Sequence, residues 1–242
     1  MPTRITELAY DAADIGLLAR FWSDLLGWPI TQESDDEVDI EPPDEYALPE
    51  GIAFGPVPEP KTGKNRLHLD LASSSPEHQN EIVTKALDLG ARRADIGQGD
   101  VPWAVLTDPE GNEFCVLEPR PYYGETGALA AIVQDCPDPV ALAPFWSAAS
   151  GWPIFLWRPH LAVLRPPGGR GPWLALVRTA EPKRVKQRIH IDVSPFTGED
   201  HAAEVSRLID LGAAHADVGQ GDVPWAVMTD PQGNEFCVLT PR

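Results

Sequence analysis

The chain has 242 residues, and its 19 Lys plus Arg stand against 37 Asp plus Glu, a formal charge of -18 that argues against phosphate backbones and anionic lipid as partners. Its 43% hydrophobic content and 8 Trp exclude wholesale disorder, no bilayer-length apolar run occurs, and the composition of Met1–Tyr10 leads to the expectation of no basic, apolar leader. Three Cys are too few for a disulfide framework, so the expected compartment is the reducing cytoplasm.

In chain order, Ile5–Tyr10 predicts a strand. Asp14 caps a predicted helix in which Leu18, Phe21, Trp22 and Leu25 recur at helical spacing, ended by Gly27. Short extended pieces follow over Pro29–Gln32, near Val38 and over Gly51–Val57. Leu67, Leu69 and Leu71 alternate with Arg66, His68 and Asp70, which predicts a strand with one apolar and one polar face. A second helix covers Pro76–Leu89, with Ser75 as N-cap, Pro76 in the first position and Gly90 as terminator. Strand Trp103–Thr107, a turn at 108–112 and strand Glu113–Leu117 close the series.

The series is then repeated. Residues 97–120, GQGDVPWAVLTDPEGNEFCVLEPR, differ from residues 219–242 at three of 24 positions. LARFWSDLLGWPI at 18–30 matches LAPFWSAASGWPI at 142–154, and RLHLDL at 66–71 matches RIHIDV at 188–193. Two homologous domains follow, 1–122 and 126–242, each read as two βαβββ-like modules. The fold class is α+β, with helices on one side of a mixed sheet.

FWSDLLGW, a strand carrying His68, a helix ending in Leu89, Gly90 and Ala91, and DPEGNEF before an apolar strand together resemble the vicinal oxygen chelate superfamily. That group includes glyoxalase I, bleomycin-resistance proteins, extradiol dioxygenases and fosfomycin-resistance enzymes; the likeness is to its glyoxalase-like domains and covers both copies nearly end to end. The resemblance implies a curved mixed sheet around a cleft in each domain. It also implies that the two domains pair within the chain, as a monomer or a homodimer.

Metal-dependent members hold a divalent ion with His and Glu from four strands. Carried over position by position, the first-strand ligand falls on Glu7 in copy one and on Ala131 in copy two. The second-module ligand falls on His68 and His190, and the last-strand ligand on Cys115 and Cys237. Gly51–Val57 and Trp173–Arg178 offer no carboxylate or imidazole. The expectation is therefore no metal and no cofactor, with Glu7 and His68 as weak metal candidates.

His68 and His190 are the catalytic candidates, as general acid or base, and the alternative is a structural role lining the cleft. Glu7, Cys115 and Cys237 join the ligand-binding set, although the apolar neighbours of both thiols also suit simple packing. Asp70 and Asp192 share a sheet face with the histidines and either orient a neighbour or face solvent. Trp22 and Trp146 lie on the helix stripe and are expected in the core. Trp103 and Trp225, which open strands, and Trp157 and Trp173, which have no aromatic counterpart in copy one, complete the ligand-binding candidates.

Charge is uneven: residues 1–124 carry 9 basic and 24 acidic side chains, and residues 125–242 carry 10 and 13. Nine carboxylates fall in Glu33–Glu50, where copy two has Arg158, Arg165, Arg170 and Arg178 in the corresponding region. The expected partner is a small molecule, cationic or aromatic, bound without metal as in drug or metabolite sequestration. The alternative is a glyoxalase-like lyase or isomerase, or a tailoring enzyme of secondary metabolism, with a residual metal site in domain 1.

Overall fold

The computed structural model describes residues 3–42 and 50–242, so part of the acidic run Glu33–Glu50 lies outside the described residues. Copy one contains β1 (Thr3–Ala12), α1 (Ile15–Leu26), β2 (Ile30–Glu33), β3 (Val38–Ile40), β4 (Gly51–Pro56), β5 (Leu67–Leu71), α2 (Pro76–Asp88), β6 (Arg92–Arg93), β7 (Ala104–Thr107) and β8 (Glu113–Val116). A short 3-10 turn, Pro121–Tyr123, leads into copy two. There follow β9 (Leu129–Cys136), α3 (Pro139–Ser150), β10 (Ile154–Arg158), β11 (Leu161–Leu164), β12 (Trp173–Arg178), β13 (Ile189–Pro195), α4 (His201–Asp210), β14 (Ala214–His215), β15 (Ala226–Thr229) and β16 (Glu235–Val238). Among the described residues, no helix is long and apolar enough to cross a membrane.

Local signals set the helix ends. The Asp14 carboxylate accepts from the Leu17 N–H and the Ser75 hydroxyl from the His78 N–H, satisfying donors that a first turn leaves free. Gly27 and Gly151 stop α1 and α3 at φ of 73° and 72°, a left-handed conformation that costs glycine little. β1 is longer than the predicted Ile5–Tyr10 because it pairs along both edges, antiparallel with β13 and parallel with β4.

The α+β class and the βαβββ modules are both present, and the strands pair across the repeat. Sheet A runs β14-β15-β16-β13-β1-β4-β3-β2, and sheet B runs β10-β11-β12-β9-β5-β8-β7-β6, eight strands each. Sheet A thus joins the first module of copy one to the second module of copy two, and sheet B joins the other two modules. The joints are antiparallel: Leu8 lies opposite Ile191 and Ala9 opposite His190 in sheet A, and His68 opposite Val133 and Leu69 opposite Ile132 in sheet B.

Strand alternation then sorts the side chains. Leu8, Tyr10, Leu67, Leu69, Leu71 and Ile191 enter one continuous core with the helices, including the fully buried Trp22 and Trp146. Glu7, Ala9, His68, Asp70, His190 and Asp192 occupy the alternate positions on the helix-free faces.

Two homologous turns tie the sheets together. Asp108, between β7 and β8 of sheet B, accepts from the Tyr10 hydroxyl at 2.8 Å and the Trp22 indole N–H at 3.4 Å, both from the module that builds sheet A. Asp230, between β15 and β16, accepts from the Gln134 amide at 2.9 Å and the Trp146 indole at 3.2 Å. Burial pushes both carboxyls above the usual range, while N–H donors from Asn112 and Asn234 pull them back. No cation pairs with Asp108 or Asp230 among the described residues, so these neutral donors are what offset their desolvation. Tyr10→Phe and Gln134→Ala are each expected to destabilise the fold by about 1–3 kcal/mol in urea denaturation, since each leaves a buried carboxylate short of a donor; unchanged midpoints would contradict this role.

Candidate functional site

The exchange of modules decides which candidate residues meet. On sheet A, β1 places Glu7 opposite Asp192 of β13, and β13 places Asp192 beside Cys237 of β16. His190 Nε2 lies 3.2 Å from Asp192 Oδ1 and 3.3 Å from Cys237 Sγ. On sheet B, β5 presents His68 and Asp70, with Nε2 and Oδ1 3.4 Å apart, and β8 places Cys115 beside Asp70. Opposite Asp70 stands Ala131, and opposite His68 stands Val133. Glu7 and His68, paired as weak metal candidates in the sequence, therefore lie on different sheets. Glu7 belongs with His190.

The sheet A cluster is strongly coupled. Burial raises Glu7 to about 7, Asp192 adds to the rise, and the hydrogen bond from Arg242 Nη1 to Glu7 Oε2 at 2.8 Å only partly offsets it. Asp39 on β3 is raised to about 6 by burial and by Glu37 and Glu41. Burial alone would depress the His190 imidazolium, but Asp192 and Cys237 outweigh it and hold its pKa well above the ordinary value. Burial and Asp192 push the Cys237 thiol up. Asp192, taken from the sequence as an orienting or a solvent-facing residue, is 4% exposed.

The sheet B face is aromatic. Trp173 is stacked by Tyr122 at 5.6 Å and 24°, met edge-on by Tyr123 at 4.8 Å, and flanked by Phe155 at 5.4 Å. The Arg165 guanidinium lies 4.8 Å from the centroids of both Phe155 and Trp173. Ala131, Val133, Val163 and Ala175 pack with Trp173 in a cluster separate from the main core. Burial and the nearby Asp70 raise the Tyr123 phenol to about 12, and burial followed by Asp70 pushes the Cys115 thiol up as well. A groove of about 820 Å³ opens beside Tyr123, between the end of α1 at Leu25 and Leu26, the α2 face carrying His78, Ile82 and Lys85, and the Pro119–Pro121 stretch.

Other candidates are scattered. Trp103 lies under the Arg120 guanidinium at 5.8 Å, and that guanidinium also binds Glu118. Trp157 and Trp225 are largely exposed, and Trp157 is on the edge strand β10. Sequence reasoning missed Tyr122, Tyr123, Phe155 and Arg242. The Tyr pair carried a signal, two adjacent aromatics in a linker; nothing local marked Phe155 or Arg242.

Among the described residues, two groups have metal-compatible donor atoms within 4.8 Å of one another: His68, Asp70, Cys115 and His190, Asp192, Cys237. A nitrogen, oxygen and sulfur donor set suits zinc, and sheet A adds the neighbouring Glu7 carboxylate, whereas sheet B has Ala131 in that place. Asp192 Oδ1 and Asp70 Oδ1 are both buried without a hydrogen-bond partner, so either donor set suits such an ion and the Glu7 carboxylate makes sheet A the better fit.

A family model described as a glyoxalase-like domain matches residues 7–117 and 131–239. The fold is similar to glyoxalase I from Zea mays, at 13% identity and a TM-score of 0.72, covering 98% of this chain and 92% of that one. It is also similar to a protein described as a candidate dioxygenase from Bacillus subtilis subsp. subtilis str. 168, at 12% identity and a TM-score of 0.65, covering 99% and 85%. No curated protein matches the chain.

Because the unfolded chain releases the Glu7 proton in the ordinary carboxylate range while the folded chain keeps it to about pH 7, Glu7 withdraws stability as pH rises across that window. Glu7→Gln should therefore flatten the decline in unfolding free energy over the same range; a pH profile identical to that of the parent protein would refute the raised pKa.

Proposed function

The chain belongs to the glyoxalase-like domain family, and from that premise we propose that it binds a small planar organic molecule on the helix-free face of sheet B, with no metal required. One observation carries this reading. Trp173 sits among Tyr122, Tyr123 and Phe155 above a floor that holds His68 and Asp70. Stacking walls with a few convergent polar groups are the usual composition of a small-molecule site.

Access follows from the exposure of the outer rings. Tyr122 is 56% exposed and belongs to a three-residue turn, where its ring contacts Tyr123 at 4.7 Å and stacks on Trp173 at 5.6 Å. Such a pair contributes about 0.5–1.5 kcal/mol, which an incoming aromatic ring replaces in kind. The ligand ring takes the place of Tyr122 against Trp173. His68 and Asp70 then supply a donor and an acceptor at the floor.

A second reading, an enzyme of the lyase, isomerase or tailoring type, is favoured by the convergence of Glu7, His190, Asp192 and Cys237 on sheet A. A carboxyl raised to about 7 holds or releases a proton near neutrality, as a general acid or base requires. His190, Asp192 and Cys237 would hold a zinc ion, with Glu7 on the neighbouring strand, and such an ion would supply Lewis-acid activation.

The two readings separate experimentally. Intrinsic fluorescence titrated with planar aromatic compounds is expected to quench saturably, and Trp173→Ala should weaken binding by about tenfold or more. Flat titrations together with stoichiometric zinc that is lost in Cys237→Ser would overturn the first reading in favour of the second.

A further inference from the structure

We infer that the molecule bound on sheet B is a planar aromatic anion, an aromatic carboxylate in the simplest case, anchored by Arg165. The inference rests on the reading of this face as the binding site and adds the ligand's charge. It departs from the cationic ligand that the net charge of -18 suggests.

The Arg165 guanidinium lies over both the Phe155 and Trp173 rings, 4.8 Å from each centroid, and its Nε is buried with no hydrogen-bond partner. Among the described residues it has no carboxylate within ion-pair reach. The nearby Arg120, by contrast, is already bound through Nε and Nη2 to Glu118 at 2.7 and 3.1 Å. A guanidinium uses that same Nε and Nη edge to grip a planar carboxylate with two parallel hydrogen bonds. Arg165 thus keeps unused the donor edge that Arg120 spends within the chain. An isolated buried donor costs stability, and a ligand acceptor would remove that cost.

The surroundings agree on where the negative charge lies. The exchange of modules gives sheet B the first module of copy two, which contributes Arg158 and Arg165, while Arg178 of the same module pairs with Asp138. The described carboxylates of the acidic run, Glu33 on β2 and Asp39 on β3 among them, belong to the module that builds sheet A. Asp70 Oδ1 on the floor of sheet B is buried with His68 Nε2 3.4 Å away and makes no hydrogen bond of good geometry. An anion would be repelled from that end and drawn to Arg165, while a hydroxyl or amino substituent at the far end of the ring would satisfy Asp70.

The test uses three probes of one ring system on the full chain: 2-naphthoate, 2-naphthamide and 2-naphthylmethylammonium, each titrated by calorimetry. The expected result is that naphthoate binds about tenfold or more tighter than the amide, as one charge-assisted bidentate contact implies. Arg165→Gln should bring the two within about twofold, and Arg165→Lys, which keeps the charge but loses the fork, should fall between. Equal affinity of acid and amide, a preference for the ammonium probe, or a naphthoate preference that survives in Arg165→Gln would overturn the inference and leave the binding reading standing. No binding of any probe would remove both. The comparison among probes on the parent protein decides the matter even if a variant folds poorly.

Discussion

Antiparallel pairing between the copies is the constraint from which the rest follows. β1 runs against β13 and β5 against β9, so neither copy completes a sheet by itself. Four modules close into two eight-stranded sheets, and Asp108 and Asp230 stitch each copy's halves back together across them. The two stitches cross the molecule in opposite senses. Losing either sheet exposes a buried carboxylate whose donors come from the other sheet's modules, which makes independent folding of one copy unfavourable.

The same pairing lets the two faces diverge. Were each sheet built from one copy, Glu7 would share a face with His68, and Ala131 with His190. Instead Glu7 and Asp39 of copy one meet Asp192 of copy two on sheet A, where burial, then Asp192 and, more weakly, Asp39 raise Glu7. On sheet B, Trp173 meets Phe155 and the linker tyrosines, and the Arg165 guanidinium lies over Phe155 and Trp173. His, Asp and Cys recur in both faces, so the difference between them comes from the first modules and the linker tyrosines. One duplicated frame carries a polar, proton-holding face and an apolar, stacking face.

Much of this was legible in the sequence because it is local. Helix caps at Asp14 and Ser75, the period-two alternation around His68, and the burial of Trp22 and Trp146 each depend on residues within a few positions. The tandem repeat and the βαβββ order were legible for the same reason. Strand partners were not, since Leu8 and Ile191 are far apart in the chain and either copy's second module offers an equally apolar edge. The site divided along that line. His68 with Asp70, and His190 with Asp192, were visible as pairs on one strand. The meeting of Glu7 with Asp192, of Arg242 with Glu7, and of Tyr122 with Trp173 required the tertiary pairing.

The central claim, that each sheet is made from both copies, is tested most directly by cross-strand nuclear Overhauser contacts in the isotopically labelled chain. The account predicts contacts between β1 and β13 with Ala9 opposite His190, and between β5 and β9 with Leu69 opposite Ile132. A contact ladder joining β1 to β5 in their place would mean that each copy closes its own sheet, and would contradict it.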